Sequence, residues 1–287
     1  MFSLLPSNGL RGGASHLRAV EVDCVEHVYP DGTRALCGAR LEVEEGESVA
    51  ILGPNGSGKT TLILHLNGTL LPHEGEVRIF GESVSKKNLD WVRKTVGVVF
   101  QNSDDQLFMP TVFEDVAFGP LNVKPRKEAL REAESAMEEL GIMELRDRVP
   151  HFLSGGQKRL VAIAGVIAMK PKILVLDEPT IGLDSEARDK IIWVLSQLKK
   201  RYKLTLIFST FDVEIVPLLA DKVVVLKNGS VIYQGDVRRA LTDTKLLREA
   251  RLDQPPYVKL AEELGLNEKP LTLKEASALF SKIIKKE

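Results

Sequence analysis

The segment that decides the fold reads Gly53-Pro54-Asn55-Gly56-Ser57-Gly58-Lys59-Thr60. It follows an apolar run typical of a strand, residues 49–52, and leads into a run typical of a helix, residues 61–66. Strand, glycine-rich loop and helix in this order, with the spacing G-x-x-x-x-G-K-[ST], form a phosphate-binding loop. The glycines leave room for a phosphate beside the backbone, and the helix points the positive end of its dipole at the same place. The sequence therefore predicts a triphosphate site here.

Two residues of the loop itself and polar residues at the ends of two other predicted strands complete this site. Lys59 can reach the β- and γ-phosphates, and the Thr60 hydroxyl can bind Mg²⁺. Asp177 and Glu178 follow a buried apolar run, so we expect them at the carboxyl edge of the sheet, where open α/β folds bind ligands. Asp177 is placed to hold Mg²⁺ through water, and Glu178 to polarise an attacking water. Gln101 could touch Mg²⁺ or water, although taken alone it is better explained as an ordinary loop residue.

A second glycine turn precedes another predicted helix, at Leu153-Ser154-Gly155-Gly156-Gln157. Such a turn at a helix N-terminus is an anion site. One chain does not easily need two sites for one γ-phosphate. We therefore expect the second site to face the nucleotide of a partner in a dimer.

Composition favours a globular protein with a sizeable core, reduced cysteines and no nucleic-acid partner. The chain has 287 residues, 44% of them hydrophobic, and a net charge of −1, so no basic field points to nucleic acid. The two cysteines form no CxxC pair, which indicates a reducing cytosolic setting. The five histidines show no metal-ligand spacing. No apolar run approaches the roughly 20 residues that span a bilayer, so membrane contact would need a partner.

Alternating strand and helix patterns through the centre predict an α/β fold with a largely parallel sheet. Residues 1–17 are aperiodic and are interpreted as a disordered tail or a cloning remnant. The predicted strands are 20–27, 39–43, 49–52, 75–80, 96–100, 173–176, 205–208, 223–226 and 231–234. The predicted helices are 61 to about 67, 112–118, 126–140, 154–169, 185–201 and a last one, capped by Thr272 and Glu275, through 286.

The motifs together resemble the ATP-binding subunit of an ABC transporter, over a stretch from about Arg18 to about Gly235. They are the phosphate loop, Gln101, residues 153–157, residues 173–179 and Ile181–Asp184. Residues 100–108, 111–120 and 162–169 are similar to energy-coupling factor transporters of the CbiO/EcfA kind. The resemblance implies a P-loop NTPase (ABC ATPase) fold with an antiparallel β subdomain, a mostly parallel core sheet, a helical signature subdomain and a small C-terminal helical appendage.

The resemblance also implies domain limits and ligands. It implies an ABC ATPase domain at 18–240, with a helical subdomain at about 102–168, and a C-terminal helical dimerisation segment at 241–287. ATP and Mg²⁺ would be the cofactors, with Mg²⁺ at Thr60, Gln101 and Asp177. Tyr29 would stack on adenine, although a turn tyrosine packing on the surface is also a credible interpretation. The phosphates would lie on Gly53, Pro54, Asn55, Gly56, Ser57, Gly58, Lys59, Thr60 and Thr61, and Ser154, Gly155, Gly156 and Gln157 would meet the opposite subunit's ATP.

By the same resemblance, the partners would be membrane proteins and a second ATPase. The second ATPase subunit would be identical or related. An integral membrane subunit would contact the helix after the Gln101 loop, and a membrane component would bind the substrate, a cobalt or nickel ion or a vitamin. The chain would lie at the cytoplasmic face of the cell membrane. An ABC ATPase of DNA repair or translation is disfavoured because there is no coiled-coil insert, second cassette or basic balance.

Two residues depart from the family pattern. The family has Arg where Leu160 stands, although Arg159 is adjacent. It has Ser-Thr-His-Asp where this chain has Ser209-Thr210-Phe211-Asp212, and phenylalanine cannot hydrogen-bond the γ-phosphate or the attacking water. A positioned group of that kind contributes about 10²–10⁴ in rate. We expect ATP and Mg²⁺ to bind while hydrolysis is slow. The alternative is a non-hydrolysing subunit that binds ATP beside a competent partner.

Overall fold

The computed structural model describes residues 18–284, so the expected tail at 1–17 and the last residues of the chain lie outside it. In this part the strands are β1 Arg18–Val28, β2 Arg34–Glu44, β3 Ser48–Leu52, β4 Glu74–Ile79, β5 Glu82–Ser83, β6 Val96–Val99, β7 Ile173–Leu176, β8 Thr205–Thr210, β9 Lys222–Lys227 and β10 Ser230–Asp236. The helices are α1 Lys59–Leu66, α2 Leu89–Thr95, α3 Val112–Leu121, α4 Arg126–Glu139, α5 Gly155–Ile167, α6 Ser185–Tyr202, α7 Val216–Leu219, α8 Val237–Thr242, α9 Thr244–Glu249, α10 Pro256–Glu263 and α11 Leu273–Ile284.

The core is a six-stranded sheet in the order β10-β9-β3-β8-β7-β6. All neighbouring strands are parallel except β10, which pairs antiparallel with β9 after a turn at residues 228–229. Every residue of β3, β7 and β8 is buried, as their continuous apolar runs predict for strands covered on both faces. Parallel pairing brings the carboxyl ends of β3, β6, β7 and β8 to one edge.

A second sheet, in the order β2-β1-β4-β5, is antiparallel and confirms the expected β subdomain. Its inner face, α1 and one face of the core sheet enclose a shared hydrophobic cluster. The strand β2 begins five residues before its predicted start at 39. The pairing between β1 and β2 shifts register here, between Val25↔Ala39 and His27↔Leu36, and this irregularity hides the alternation from sequence inspection.

The helices α3, α4 and α5 lie between β6 and β7 in the chain and pack against one another. One face of α4 and the residue that follows it are buried, with Ala129, Ala133, Met137 and Leu140 facing inward. Most predicted helices are confirmed, with ends displaced by a few residues: α3 continues past 118 with Pro120 in its last turn, and α5 ends at Ile167. The short helices α2 and α7 were not predicted, because four to seven residues carry too little periodicity to detect.

The C-terminal helices α8 to α11 follow β10 directly. Val237, Leu241, Leu247 and Val258 belong to the same buried cluster as the core sheet, so this appendage is packed onto that sheet. The Thr272 half of the predicted cap of α11 is present, since the Glu275 amide donates to the Thr272 hydroxyl at 3.3 Å, while the Glu275 carboxylate accepts from the Leu271 amide at 3.0 Å. Within residues 18–284, no helix has both the length and the apolarity required to cross a bilayer.

Candidate nucleotide site

The glycines of the phosphate loop are required by the backbone around them. Gly58 immediately precedes α1 and has φ of 104°, and a Cβ there would lie 2.4 Å from the Ala35 carbonyl oxygen. A Cβ on Gly53 would lie 2.5 Å from the Leu226 carbonyl oxygen. No side chain caps α1, so its first N–H groups remain available to an anion. The loop thus has the geometry of a phosphate cradle.

Lys59 lies folded over this loop and is 6% exposed. Its Nζ donates to the carbonyl oxygens of Gly53 at 2.7 Å and Pro54 at 3.2 Å. The same ammonium forms a buried ion pair with Glu178 Oε1 at 3.1 Å. Burial raises the pKa of Glu178, and the Lys59 charge opposes that rise. The two catalytic candidates of the loop and of β7 therefore meet directly.

Asp177 joins the loop to the end of β7 through hydroxyl groups. Its Oδ2 accepts a hydrogen bond from Thr60 Oγ1 at 2.6 Å, although the two residues are 117 positions apart. Its Oδ1 accepts from Ser209 Oγ, which in turn accepts from the Glu178 amide at 2.9 Å. A carboxylate beside a hydroxyl is the hard oxygen donor set that suits Mg²⁺. In residues 18–284, no group of three His, Cys, Asp or Glu side chains forms a self-sufficient metal site, so phosphate and water oxygens would complete the shell.

Glu178 occupies a strained backbone position. Its φ is 46°, in the left-handed region that glycine favours. Such a residue typically costs about 1–3 kcal/mol and is found where the surrounding structure fixes it. Here the amide bond to Ser209 and the ion pair with Lys59 hold Glu178, which is 5% exposed. The strain aims the carboxylate at the phosphate loop.

Gln101 follows β6 at the same edge of the sheet, but its side chain is exposed and makes no hydrogen bond to Thr60 or Asp177. Its backbone carbonyl instead accepts from the Arg159 guanidinium on α5, which also donates to the Phe100 carbonyl at 2.7 Å. No role could be predicted for Arg159 from sequence beyond its place beside Leu160. An arginine within the apolar run of α5 was the available signal.

Tyr29 lies in the turn after β1 and is half-buried. Its hydroxyl is 3.1 Å from Thr61 Oγ1, so the tyrosine is anchored to the helix that follows the phosphate loop. The His27 ring contacts the Tyr29 ring edge to face, with centroids 4.8 Å apart. The tyrosine is thus brought to the loop, as an adenine platform requires.

The turn at residues 153–157 caps α5 by itself. Ser154 Oγ accepts from the Gln157 amide at 3.3 Å, and Gln157 Oε1 accepts from the Ser154 amide at 3.0 Å. A Cβ on Gly156 would lie 2.7 Å from the Ala187 Cβ. Ser154 and Gly155 are exposed, so the turn is open to a partner.

Phe211 follows the end of β8 and is 43% exposed. It lines the same cleft as Glu178, one of about 800 Å³ that is bounded on its far side by α9 and α10. The following residue, Asp212, pairs with Arg188 of α6 at 2.9 Å. Phe211 therefore shares this cleft with Glu178, the residue predicted from sequence to be the base.

Comparisons with known proteins identify the family. A family model described as ABC transporter matches residues 36–181. The energy-coupling factor transporter ATP-binding protein EcfA of Methanocaldococcus jannaschii is 49% identical over 240 residues, 83% of this chain and 86% of that protein. EcfA of Methanothermobacter thermautotrophicus is 49% identical over 250 residues, 86% of this chain and 80% of that protein.

Solved structures of ATP-binding cassettes are also similar to this chain. CbiO1 of Clostridium perfringens, described as part of the ABC transporter complex cbiONQ, is 38% identical and superposes with a TM-score of 0.73 over 87% of this chain and 99% of that one. An ATP-binding cassette solved as a dimer bound to ADP and Pi is 29% identical, with a TM-score of 0.69 over 76% of this chain and 99% of that one. The chain belongs to the energy-coupling factor transporter ATP-binding proteins, a family of ABC-type ATPases.

Proposed function

We propose that this ATPase lies at the cytoplasmic face of the cell membrane and powers the uptake of a micronutrient. The micronutrient would be a cobalt or nickel ion or a vitamin. The support is the set of relatives named energy-coupling factor ATP-binding proteins and the CbiO1 structure, which is described as part of a larger transporter complex. The observation that carries the ATPase part of the proposal is the part-buried hydrogen bond between Thr60 and Asp177. It brings a hydroxyl of the phosphate loop against a carboxylate that follows β7, two strands from β3 in the sheet, as Mg²⁺-dependent phosphoryl transfer requires.

The proposed roles of the site residues follow from their positions. The loop amides and Lys59 bind the β- and γ-phosphates, while Thr60 and Asp177 hold Mg²⁺, which Gln101 approaches once nucleotide is bound. Mg²⁺ supplies charge neutralisation on the phosphate oxygens. Tyr29 stacks on adenine, because its hydroxyl bond to Thr61 holds the ring beside the loop.

Glu178 is the proposed general base. In the free chain its carboxylate is paired with Lys59, so it is not available to a water molecule. When the γ-phosphate attracts the Lys59 ammonium, the carboxylate is released to accept a proton from the attacking water. Burial raises the pKa of Glu178, which makes it a stronger base than an exposed glutamate.

Phe211 slows this step in our proposal. A phenyl ring beside Glu178 cannot orient water or the γ-phosphate, so binding is preserved while turnover is reduced. The same observation favours a second candidate, a subunit that binds ATP without hydrolysing it and lends residues 154–157 to a competent partner. The intact Glu178 and Asp177 favour the first candidate.

A groove beside α3 is the proposed contact for the membrane subunit. Phe108 and Phe118 pack edge to face with centroids 4.9 Å apart, yet are 63% and 43% exposed. Asp115 lines this groove, and its Oδ2 is buried without a hydrogen-bond partner among the residues described. An apolar groove with one unsatisfied acceptor suits a helix that presents a donor between apolar side chains.

We also propose 18–240 as the ATPase domain, 102–168 as its helical subdomain and 241–287 as a dimerisation segment.

Calorimetry and sedimentation test the proposed function. The chain should bind ATP in magnesium buffer, and the Glu178→Gln variant should form an ATP-dependent dimer because closure is retained while the base is lost. Asp221→Asn, which alters an exposed ion pair with Lys199 away from the loop, is a matched control for the loss of one carboxylate. A Glu178→Gln chain that stays monomeric in saturating ATP contradicts the proposal.

A further inference from the structure

Arg159 connects two functional segments, the Gln loop, residues 101–106, and the signature turn, residues 153–157. It lies in the second turn of α5, which the signature turn begins, and is 4% exposed. One arm of its guanidinium donates to the Phe100 carbonyl at 2.7 Å, and the other donates to the Gln101 carbonyl. The side chain thus holds the point at which β6 passes into the Gln loop.

Burying the Arg159 cation costs folding free energy, so a purely structural role is a poor explanation for its presence. Burial lowers the pKa of Arg159, and the Asp177 carboxylate opposes that shift. A guanidinium nevertheless stays charged, and its Nε has no hydrogen-bond partner in the described part of the chain. Burying a charge with only partial hydrogen bonding is expensive, and an apolar side chain of similar size often gives equal or greater stability.

A second contact between the same segments provides a built-in comparison. Lys158 Nζ binds Asp104 Oδ1 at 2.6 Å, so the residue next to Arg159 also reaches the Gln loop. The Asp104 side chain is 59% exposed. Ion pairs exposed to solvent contribute little, about 0–1 kcal/mol. The buried link through Arg159 is therefore the rigid one of the two.

We propose that Arg159 is a positioning residue that makes the Gln loop and the signature turn move together, and so couples a chain's own nucleotide site to the site it completes on a partner. The inference rests on the proposed function. Gln101 lies at the edge of the chain's own site, whereas the signature turn is exposed toward a partner. Because the planar guanidinium donates to two consecutive carbonyls, it transmits a displacement of the Gln loop to the signature turn. A lysine offers only a single point charge.

The test uses the Glu178→Gln chain as parent, with Arg159→Lys, Arg159→Gln and, as matched control, Lys158→Gln. Fluorescent-nucleotide titration gives ATP affinity, and sedimentation gives the ATP concentration at half-maximal dimerisation. Arg159→Gln should raise that concentration about tenfold, a normal size for coupling between sites, while ATP affinity stays within about twofold. Arg159→Lys should be intermediate, and Lys158→Gln should match the parent.

Hydrogen exchange at a protein concentration at which sedimentation shows only monomer in the presence of ATP supplies a readout that does not depend on a partner. ATP should slow amide exchange at 101–106 and at 153–157 in the parent, and only at 101–106 in Arg159→Lys. Equal protection of both segments in Arg159→Lys, or parental dimerisation by Arg159→Gln, overturns the proposal. A parallel loss of ATP affinity, dimerisation and melting temperature in both Arg159 variants also overturns it, because the role is then structural. Failure of the parent itself to bind ATP refutes the proposed function instead.

Discussion

Replacing Phe211 by histidine should restore fast ATP hydrolysis. Phe211 is 43% exposed and lines the cleft that contains Glu178, so a histidine at this position gains a hydrogen-bonding ring beside the base without disturbing the core. A positioned acid, base or orienting group is worth about 10²–10⁴ in rate. At about 1.4 kcal/mol per decade, this lowers the barrier by about 3–5 kcal/mol.

The assay is steady-state phosphate release at saturating ATP and Mg²⁺ by the purified chain. Phe211→Ala is the matched control, because it removes the ring without adding a hydrogen-bonding group, and it should stay as slow as the wild type. Phe211→His in a Glu178→Gln background should also be slow, since the added ring assists the base rather than replacing it. Equal turnover by wild type and Phe211→His refutes the reasoning.

Three further predictions concern binding and stability. Thr60→Val should weaken ATP binding about tenfold in Mg²⁺ and little in EDTA, measured by calorimetry, because only the metal contact is lost; equal loss in both buffers contradicts this. Gly58→Ala should abolish ATP binding and lower the melting temperature, because its Cβ would lie 2.4 Å from the Ala35 carbonyl oxygen at a φ of 104°; a variant that binds ATP normally counts against it. His27 and His65 are buried with their ring centroids 4.8 Å apart, and burial lowers the pKa of both. The folded chain should therefore lose stability as pH falls below about 6.5, and His27→Phe should lose less. Urea titrations at several pH values check this.

The parts of the site that could be predicted from sequence are those set by local spacing. The phosphate loop is defined by eight consecutive residues, and its strand and helix flank it directly. Asp177 and Glu178 could be placed because a continuous apolar run ending in polar residues identifies a buried strand and its edge. The Thr60–Asp177 bond then follows from β3, β8 and β7 being adjacent parallel strands.

The remaining features depend on distances that no local pattern records. The pairing of Lys59 with Glu178 requires the lysine to fold back over the loop, and the left-handed backbone of Glu178 requires Ser209 from another strand. Arg159 meets the Gln loop across 58 positions of chain. The family pattern drew attention to Leu160, which proves to be buried in the core, whereas the adjacent arginine makes the contact.

Binding and hydrolysis are separable in this site, because different residues control them. Lys59, Thr60 and Asp177 surround the phosphate loop and contact one another or its carbonyls, so nucleotide capture does not involve Phe211. Both candidate functions, a hydrolysing subunit and a non-hydrolysing partner, therefore predict the same affinity for ATP. They differ only in what happens beside Glu178 after closure. Turnover of the chain alone and with a second ATPase is consequently the measurement that separates them, and an affinity measurement cannot.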